Sequence, residues 1–313
     1  MTGPNDWPAM TRCATRTWAS EVRTFLILTV DGVTNGFVYA IVALALVMIW
    51  RATRIINYAQ GAMGMFTTYI ALFAITHGVT YWLAFVIALG GGFALGAGIE
   101  RVLVRPVESR PTLNIVILTL GLLIFLEALA PMLFGGQVQS FPAPFSRIDL
   151  TIGGTQLFIS PYDIFVVGAV LLTMVALLLF FQRTSIGLRM RAAAFSPEIA
   201  RLLGVRVGRM LTLGWGLAAL LGALAGMLIA PAIFLYPNNM DEILVFGFVG
   251  AILGGLDSPA GAVVGALLVG LGLSYVGGYA GSDLETIGGL AILVAVLMLR
   301  PQGLFSARRQ RQA

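Results

Sequence analysis

Apolar stretches separated by short polar or glycine-rich breaks run the length of the chain, at 25–49, 57–77, 81–100, 113–134, 162–182, 210–231, 243–256, 260–279 and 285–299. Most approach about 20 residues, the length at which an α-helix crosses the hydrocarbon core of a bilayer. The runs are continuous and lack the alternating polarity of a membrane β-strand. The pattern therefore predicts an all-α, polytopic transmembrane helical bundle. The seventh and ninth stretches are short, which leaves eight or nine spans. The turns "GGLDSP" (254–259) and "GGYAGSDLE" (277–285) separate the last three stretches. The transmembrane domain is expected over 25–305, after a poorly ordered N-terminal segment at 1–24 and before a basic tail at 306–313.

Composition narrows the function. Charged residues are 11% of the 313, against about a quarter in a soluble domain, and mean hydropathy is +0.93. All 19 basic residues are arginine. Without lysine the chain cannot hold a P-loop, so it is not itself an ATPase of that class. Schiff-base chemistry is excluded for the same reason. His77 is the sole histidine and Cys13 the sole cysteine. No intrachain disulfide can form, and no metal site or other cofactor is expected. No carboxylate pair has enzymatic spacing, so no catalytic residue is assigned.

The net charge of +5 is read by its placement, not as affinity for nucleic acid, and no nucleic-acid partner is expected. Arg51 and Arg54 share one loop, and Arg101, Arg105 and Arg110 share another. Six arginines fall in 183–209, Arg300 follows the last apolar stretch, and Arg308, Arg309 and Arg311 lie in the tail. The positive-inside rule makes these segments cytoplasmic. Nine crossings would then put the N-terminus outside and the C-terminus inside. Arg12, Arg16 and Arg23 run against that assignment, as they would if translation started downstream, for example at Met10. A cleaved signal peptide is not expected, because the apolar stretch from Thr24 is too long and no small-residue cleavage site follows. Loop 135–161 is the only sizeable extracytoplasmic segment, and no soluble ligand-binding domain is present.

Lipid supplies no hydrophobic force between helices, so close backbone approach matters. Small-xxx-small pairs occur at Gly92/Gly96, Gly222/Gly226, Gly250/Gly254 and Gly261/Gly265. Tight bundling accounts for them; a moving face or a subunit contact is the alternative. The spans around 24–134 and 208–299 could form two related four-helix units. Polar groups inside spans are few: Asp31 and Asn35 in "TVDGVTNG", Asn57 and Gln60 in "RIINYAQG", and Glu127 in "IFLEALAP". Each either bridges helices or lines a translocation pathway.

Segment 183–209 concentrates six of the arginines. Within it, "SPEIARLLG" has the punctuation of a short helix. Ser196 suits the N-cap, Pro197 the first turn, and Glu198 the positive end of the dipole. Gly204 suits the C′ stop. Phe195, Ile199, Leu202 and Leu203 group on one side, while Glu198 and Arg201 face elsewhere. A helix this short is marginal alone. It needs the end of the bundle or a cytoplasmic partner to pack on.

The stretch "EIARLLG", with Glu198, Ala200 and Gly204, resembles the EAA-loop pattern of ABC-importer permeases, Ile199 replacing the second residue of the triplet. "NGFVYAIVALALVMIWRATRIINYAQGAMGM" (35–65), "RTSIGLRMRAAAFSPEIARLLGV" (183–205) and "VGAILGGLDSPAGAVVGALLVGL" (249–271) look like the branched-chain amino-acid permease family of the LivH type. The similarity spreads over most of 25–305. Gln60 stands where that family often carries a histidine. The resemblance implies a bacterial inner-membrane subunit working with a second, LivM-like permease, two cytoplasmic ATPases and a periplasmic binding protein. It further implies coupling to the ATPases through Ser196, Pro197, Glu198, Ala200, Arg201 and Gly204. A secondary transporter or channel, a structural membrane subunit, and amide or urea import within the family are the competing readings.

Overall fold

The structure, a computed structural model, describes residues 7–108, 110–152, 155–299 and 304. Residues 1–6 of the expected N-terminal segment, and the tail 306–313, lie outside the described residues. The helices in order are α1 (Trp7–Thr53), α2 (Gln60–Thr76), α3 (Tyr81–Ile99), α4 (Thr112–Phe134), α5 (Pro161–Arg183), α6 (Ser185–Phe195), α7 (Pro197–Leu202), α8 (Val207–Ile233), α9 (Asp241–Gly254), α10 (Pro259–Ala280) and α11 (Glu285–Leu299). Between α4 and α5 the chain forms a small antiparallel hairpin, β1 (Leu150–Ile152) with β2 (Thr155–Leu157), in which Thr151 faces Gln156.

Local sequence sets several boundaries. Three Ser-Pro pairs, at 160–161, 196–197 and 258–259, each open a helix with serine at the N-cap and proline in the first turn. Proline fits there because its missing N–H would have had no partner in the helix anyway. At α5 the cap is reciprocal. Ser160 Oγ accepts from the Asp163 N–H at 3.1 Å, and Asp163 Oδ2 accepts from the Ser160 N–H at 2.9 Å.

Each predicted apolar stretch holds a helix, but among the described residues only six helices are long and apolar enough to cross a membrane. The pattern predicted eight or nine. The shortfall lies in α2, α9 and α11, of 17, 14 and 15 residues. For α2 and α9 the reason is visible. Each follows a non-helical lead that already runs inside the protein: Ile55, Asn57 and Ala59 are buried before α2, and Leu235, Asn239 and Met240 before α9. Gln60, the first residue of α2, reaches Ala218 O. Ala218 lies eleven residues into α8, roughly 16 Å along its axis.

The packing repeats itself. α1 lies along α9 and α10, and α8 lies along α2 and α3. Exchanging α1–α3 for α8–α10 maps one arrangement onto the other, with α1 against α8 at the centre. The helix ends match too: Arg54 after α1 and Phe234 after α8 both have positive φ, 59° and 66°. The two units run in opposite senses, since α1 ends and α8 begins at the same arginine-bearing end of the bundle. This is the inverted-repeat arrangement common among transporters, and it relates two units of three helices each.

Glycine permits the close approaches. A Cβ on Gly96 would lie 2.4 Å from Trp215 O, on Gly226 2.8 Å from Gly64 O, on Gly254 1.9 Å from Gly261 O, and on Gly270 2.4 Å from Gly36 Cα. All four small-residue pairs of the sequence sit in such helix contacts. Outside the core, α5 is the least buried of the six long helices.

Candidate functional site

The ends of the helices sort into two faces. On one, Arg54 pairs with Asp257 in the α9–α10 turn, and Leu304 N–H donates to Leu253 O at 2.8 Å. Arg105, beyond α3, reaches Gly208 and Thr212 at the start of α8. On the other face, Gln139 and Leu235 exchange backbone hydrogen bonds at 2.8 Å. There Arg147 donates to Pro231 O, and Arg23 lies over the Phe158 ring at 5.4 Å. Among the described residues, the segments with clustered arginines therefore gather at one end, and the chain between α4 and α5 lies at the other.

At the arginine-bearing end, α7 forms as its sequence dictates. Ser196 Oγ accepts from the Ile199 N–H at 3.5 Å. Gly204 has φ +80°, a conformation open to glycine at little cost. Its N–H bonds Arg201 O at 3.0 Å, and the Val205 N–H bonds Ala200 O at 2.9 Å. Those two bonds are a Schellman stop, which satisfies carbonyls that the helix end would leave open.

One face of α7 is seated. Ala200 is buried against Ala193, Val207 and Leu211, in a small cluster separate from the main core. The rest is open. Phe195, Ile199, Leu202 and Leu203 are 92%, 56%, 87% and 76% exposed. Glu198 and Arg201 are exposed beside them, as are Arg183, Arg189, Arg191, Arg206 and Arg209. A single turn and a half of rigidly capped helix thus presents large apolar side chains and cations to the outside, held to the bundle chiefly through Ala200.

The five pathway candidates do not form one site. Asn57 and Gln60 come together in the core, 0% and 1% exposed. Asn57 Nδ2 donates to Gln60 Oε1 at 3.3 Å, and Asn57 Oδ1 accepts from the Ala59 N–H at 3.1 Å. Gln60 Nε2 donates to Ala218 O at 2.7 Å. Both amides therefore tie the non-helical lead and α2 to α8. A Cβ on Gly222 would come within 2.6 Å of Gln60 Nε2, so the glycine makes room for the amide. Asp31 is exposed on α1, and its charged neighbours are Asp163 and Asp149. Asn35, four residues on, is half-buried. Glu127 on α4 is half-buried, its Oε1 has no hydrogen-bond partner, and its polar neighbours are Asp241, the first residue of α9, and Asn238 just before it.

One polar cluster escaped the sequence reading. Glu100, at the end of α3, is 1% exposed and is gripped by Arg105 and Thr212. Its only signal in the sequence was an acid at the edge of an apolar span, five residues before an arginine.

Residues 28–299 match the family described as branched-chain amino acid transport system / permease component. The high-affinity branched-chain amino acid transport system permease protein LivH of Escherichia coli is 29% identical over 291 residues, 88% of this chain and 93% of that protein. The corresponding BraD protein of Pseudomonas aeruginosa is 27% identical over 296 residues, covering 91% and 96%. A probable LivH of Methanocaldococcus jannaschii is 25% identical over 283 residues, covering 84% and 87%. With a family match across nearly all its membrane helices, the chain belongs to the branched-chain amino acid transport system permease family and is a LivH-like permease subunit.

Proposed function

We propose that this subunit forms half of the membrane pathway of an ATP-driven importer for branched-chain or related amino acids. A second, LivM-like permease supplies the other half. Two cytoplasmic ATPases supply the energy, and a periplasmic binding protein delivers the substrate. The names of the relatives support the substrate class. The arginine-bearing face is cytoplasmic, and Leu304 lies on it through its bond to Leu253, so the C-terminus is cytoplasmic as well. Nine crossings of the bacterial inner membrane result, two of them made of a non-helical lead followed by the short helices α2 and α9. Asn57 in the lead before α2, Gln60 on α2 and Glu127 on α4 surround the route, with Asp31 and Asn35 on the outer half of α1.

The observation that carries the reading is α7. Ser196, Pro197 and Gly204 fix its ends, Ala200 seats it, and Glu198 and Arg201 face outward with the exposed apolar side chains. Such a knob fits a cleft on an ATPase and passes nucleotide-driven movement to the bundle. Glu198→Arg puts a positive charge at the positive end of the helix, costing about 0.3–1 kcal/mol. Gly204→Val forces a β-branched residue into positive φ. Neither touches a membrane span, so insertion and expression persist. The expected result in the reconstituted complex is loss of uptake, weaker ATPase co-purification, and hydrolysis that no longer answers loaded binding protein. Normal uptake with normal ATPase retention in both variants would remove this role from α7.

A further inference from the structure

Glu100 is the one carboxyl group among the described residues that is almost wholly buried, its side chain 2% exposed. It ends α3, and the chain continues from it as a π-helical turn, Glu100–Val104. The turn matters because of the partner it brings. In an α-helix, residues five apart point about 140° away from each other. The π-turn closes an i→i+5 bond, from the Arg105 N–H to Glu100 O, and stacks the two side chains. Arg105 Nε then donates to Glu100 Oε1 at 3.2 Å, and Nη2 to Oε2 at 2.9 Å. Irregular turns of this kind are frequent where helices serve a function.

The same guanidinium reaches into α8. Arg105 Nη2 lies 2.8 Å from Gly208 O and 2.6 Å from Thr212 Oγ1. The Thr212 hydroxyl in turn lies 2.7 Å from Glu100 Oε2. Gly208 and Thr212 occupy the first two turns of α8, one residue beyond Val207 and Leu211, on which α7 is seated through Ala200. One residue is about 100° around a helix. The cytoplasmic end of α8 therefore carries α7 on one side and is clamped to the end of α3 on an adjacent side.

We propose that Glu100, Arg105 and Thr212 are positioning residues for energy coupling. They lock the first turns of α8 to α3, so that displacement of α7 moves α2, α3 and α8 as one body. Without the clamp, the end of α8 tilts locally and the displacement is lost before it reaches the pathway. This inference rests on the coupling role assigned to α7 above.

The test uses the complete reconstituted importer. The first variant is the double Glu100→Leu/Arg105→Leu, which removes the buried carboxylate together with its half-exposed partner and so leaves no buried charge uncompensated. The second pair is Thr212→Val, which deletes the hydroxyl at constant shape, and Thr212→Ser, which keeps it. Thermal stability, ATPase retention and basal hydrolysis are expected to stay near those of the parent. Uptake per ATP hydrolysed should fall roughly tenfold in the double variant, within the usual range of coupling between two sites. It should fall in Thr212→Val and recover in Thr212→Ser. A stable double variant with parental uptake per ATP overturns the proposal. If that variant does not accumulate, equal coupling in Thr212→Val and Thr212→Ser overturns it instead. Gly204→Val runs alongside: if it too couples normally, the role of α7 falls, whereas if it alone uncouples, only the clamp does.

Discussion

Gly96 and Gly98 stand two residues apart on α3, and the structure gives them opposite futures on substitution by alanine. A Cβ on Gly96 would sit 2.4 Å from Trp215 O and 2.5 Å from the Ala219 Cβ of α8. Carbon contacts relax at about 3.5–4.0 Å, so α3 and α8 must part by roughly 1 Å. The obstacle includes backbone, which cannot rotate away as a side chain can. Overpacking of this kind costs about 1–3 kcal/mol. Gly98 is exposed, and a Cβ there meets nothing within 4 Å. Both variants gain the same helix propensity, about 1 kcal/mol over glycine. It cancels between them and leaves the steric cost as the difference. Gly98→Ala should be neutral or slightly stabilised, and Gly96→Ala should lie about 1–3 kcal/mol below it. At about 2–4 °C per kcal/mol, the gap is wide enough to measure by thermal unfolding in detergent. Trp215, 1% exposed at the contact, supplies the fluorescence signal. A Gly96→Ala protein that melts at or above Gly98→Ala would refute the close packing of α3 on α8.

Cysteines introduced at Arg147 and Arg201 in a Cys13→Ser background should label from opposite sides of the membrane; labelling from the same side would overturn the topology. The purified chain alone should neither bind nor hydrolyse ATP, since it has no lysine for a P-loop, and nucleotide turnover by the isolated subunit would count against the importer reading. Gly222→Ala should displace Gln60, whose amide nitrogen would lie 2.6 Å from the new Cβ. Because the Gln60–Ala218 bond joins α2 to α8, the variant should unfold at lower temperature, and a stability equal to the parent would show that the amide bridge is dispensable.

The helical class and the sorting of arginines to one end were legible in the sequence because each depends on local properties. Apolar run length sets helix formation in a bilayer, and charge beside a span sets its orientation. The α7 boundaries were legible for the same reason: Ser196, Pro197 and Gly204 act on their own backbone neighbours. The number of full-length helices was not. The stretch 57–77 reads as one span by composition, yet Asn57 folds its amide onto Ala59 and Gln60, and the helix starts only at Gln60. Nothing within that stretch reveals that Ala218 of α8 waits for the Gln60 amide. The same limit hid the clamp. Glu100 and Arg105 are five residues apart, a spacing that separates them in an α-helix, and only a π-turn together with Thr212 from α8 unites them. Hydropathy and capping are written into each segment separately. Which polar groups meet is decided by how α1–α3 and α8–α10 pack across one another, an outcome that depends on residues more than 100 positions apart.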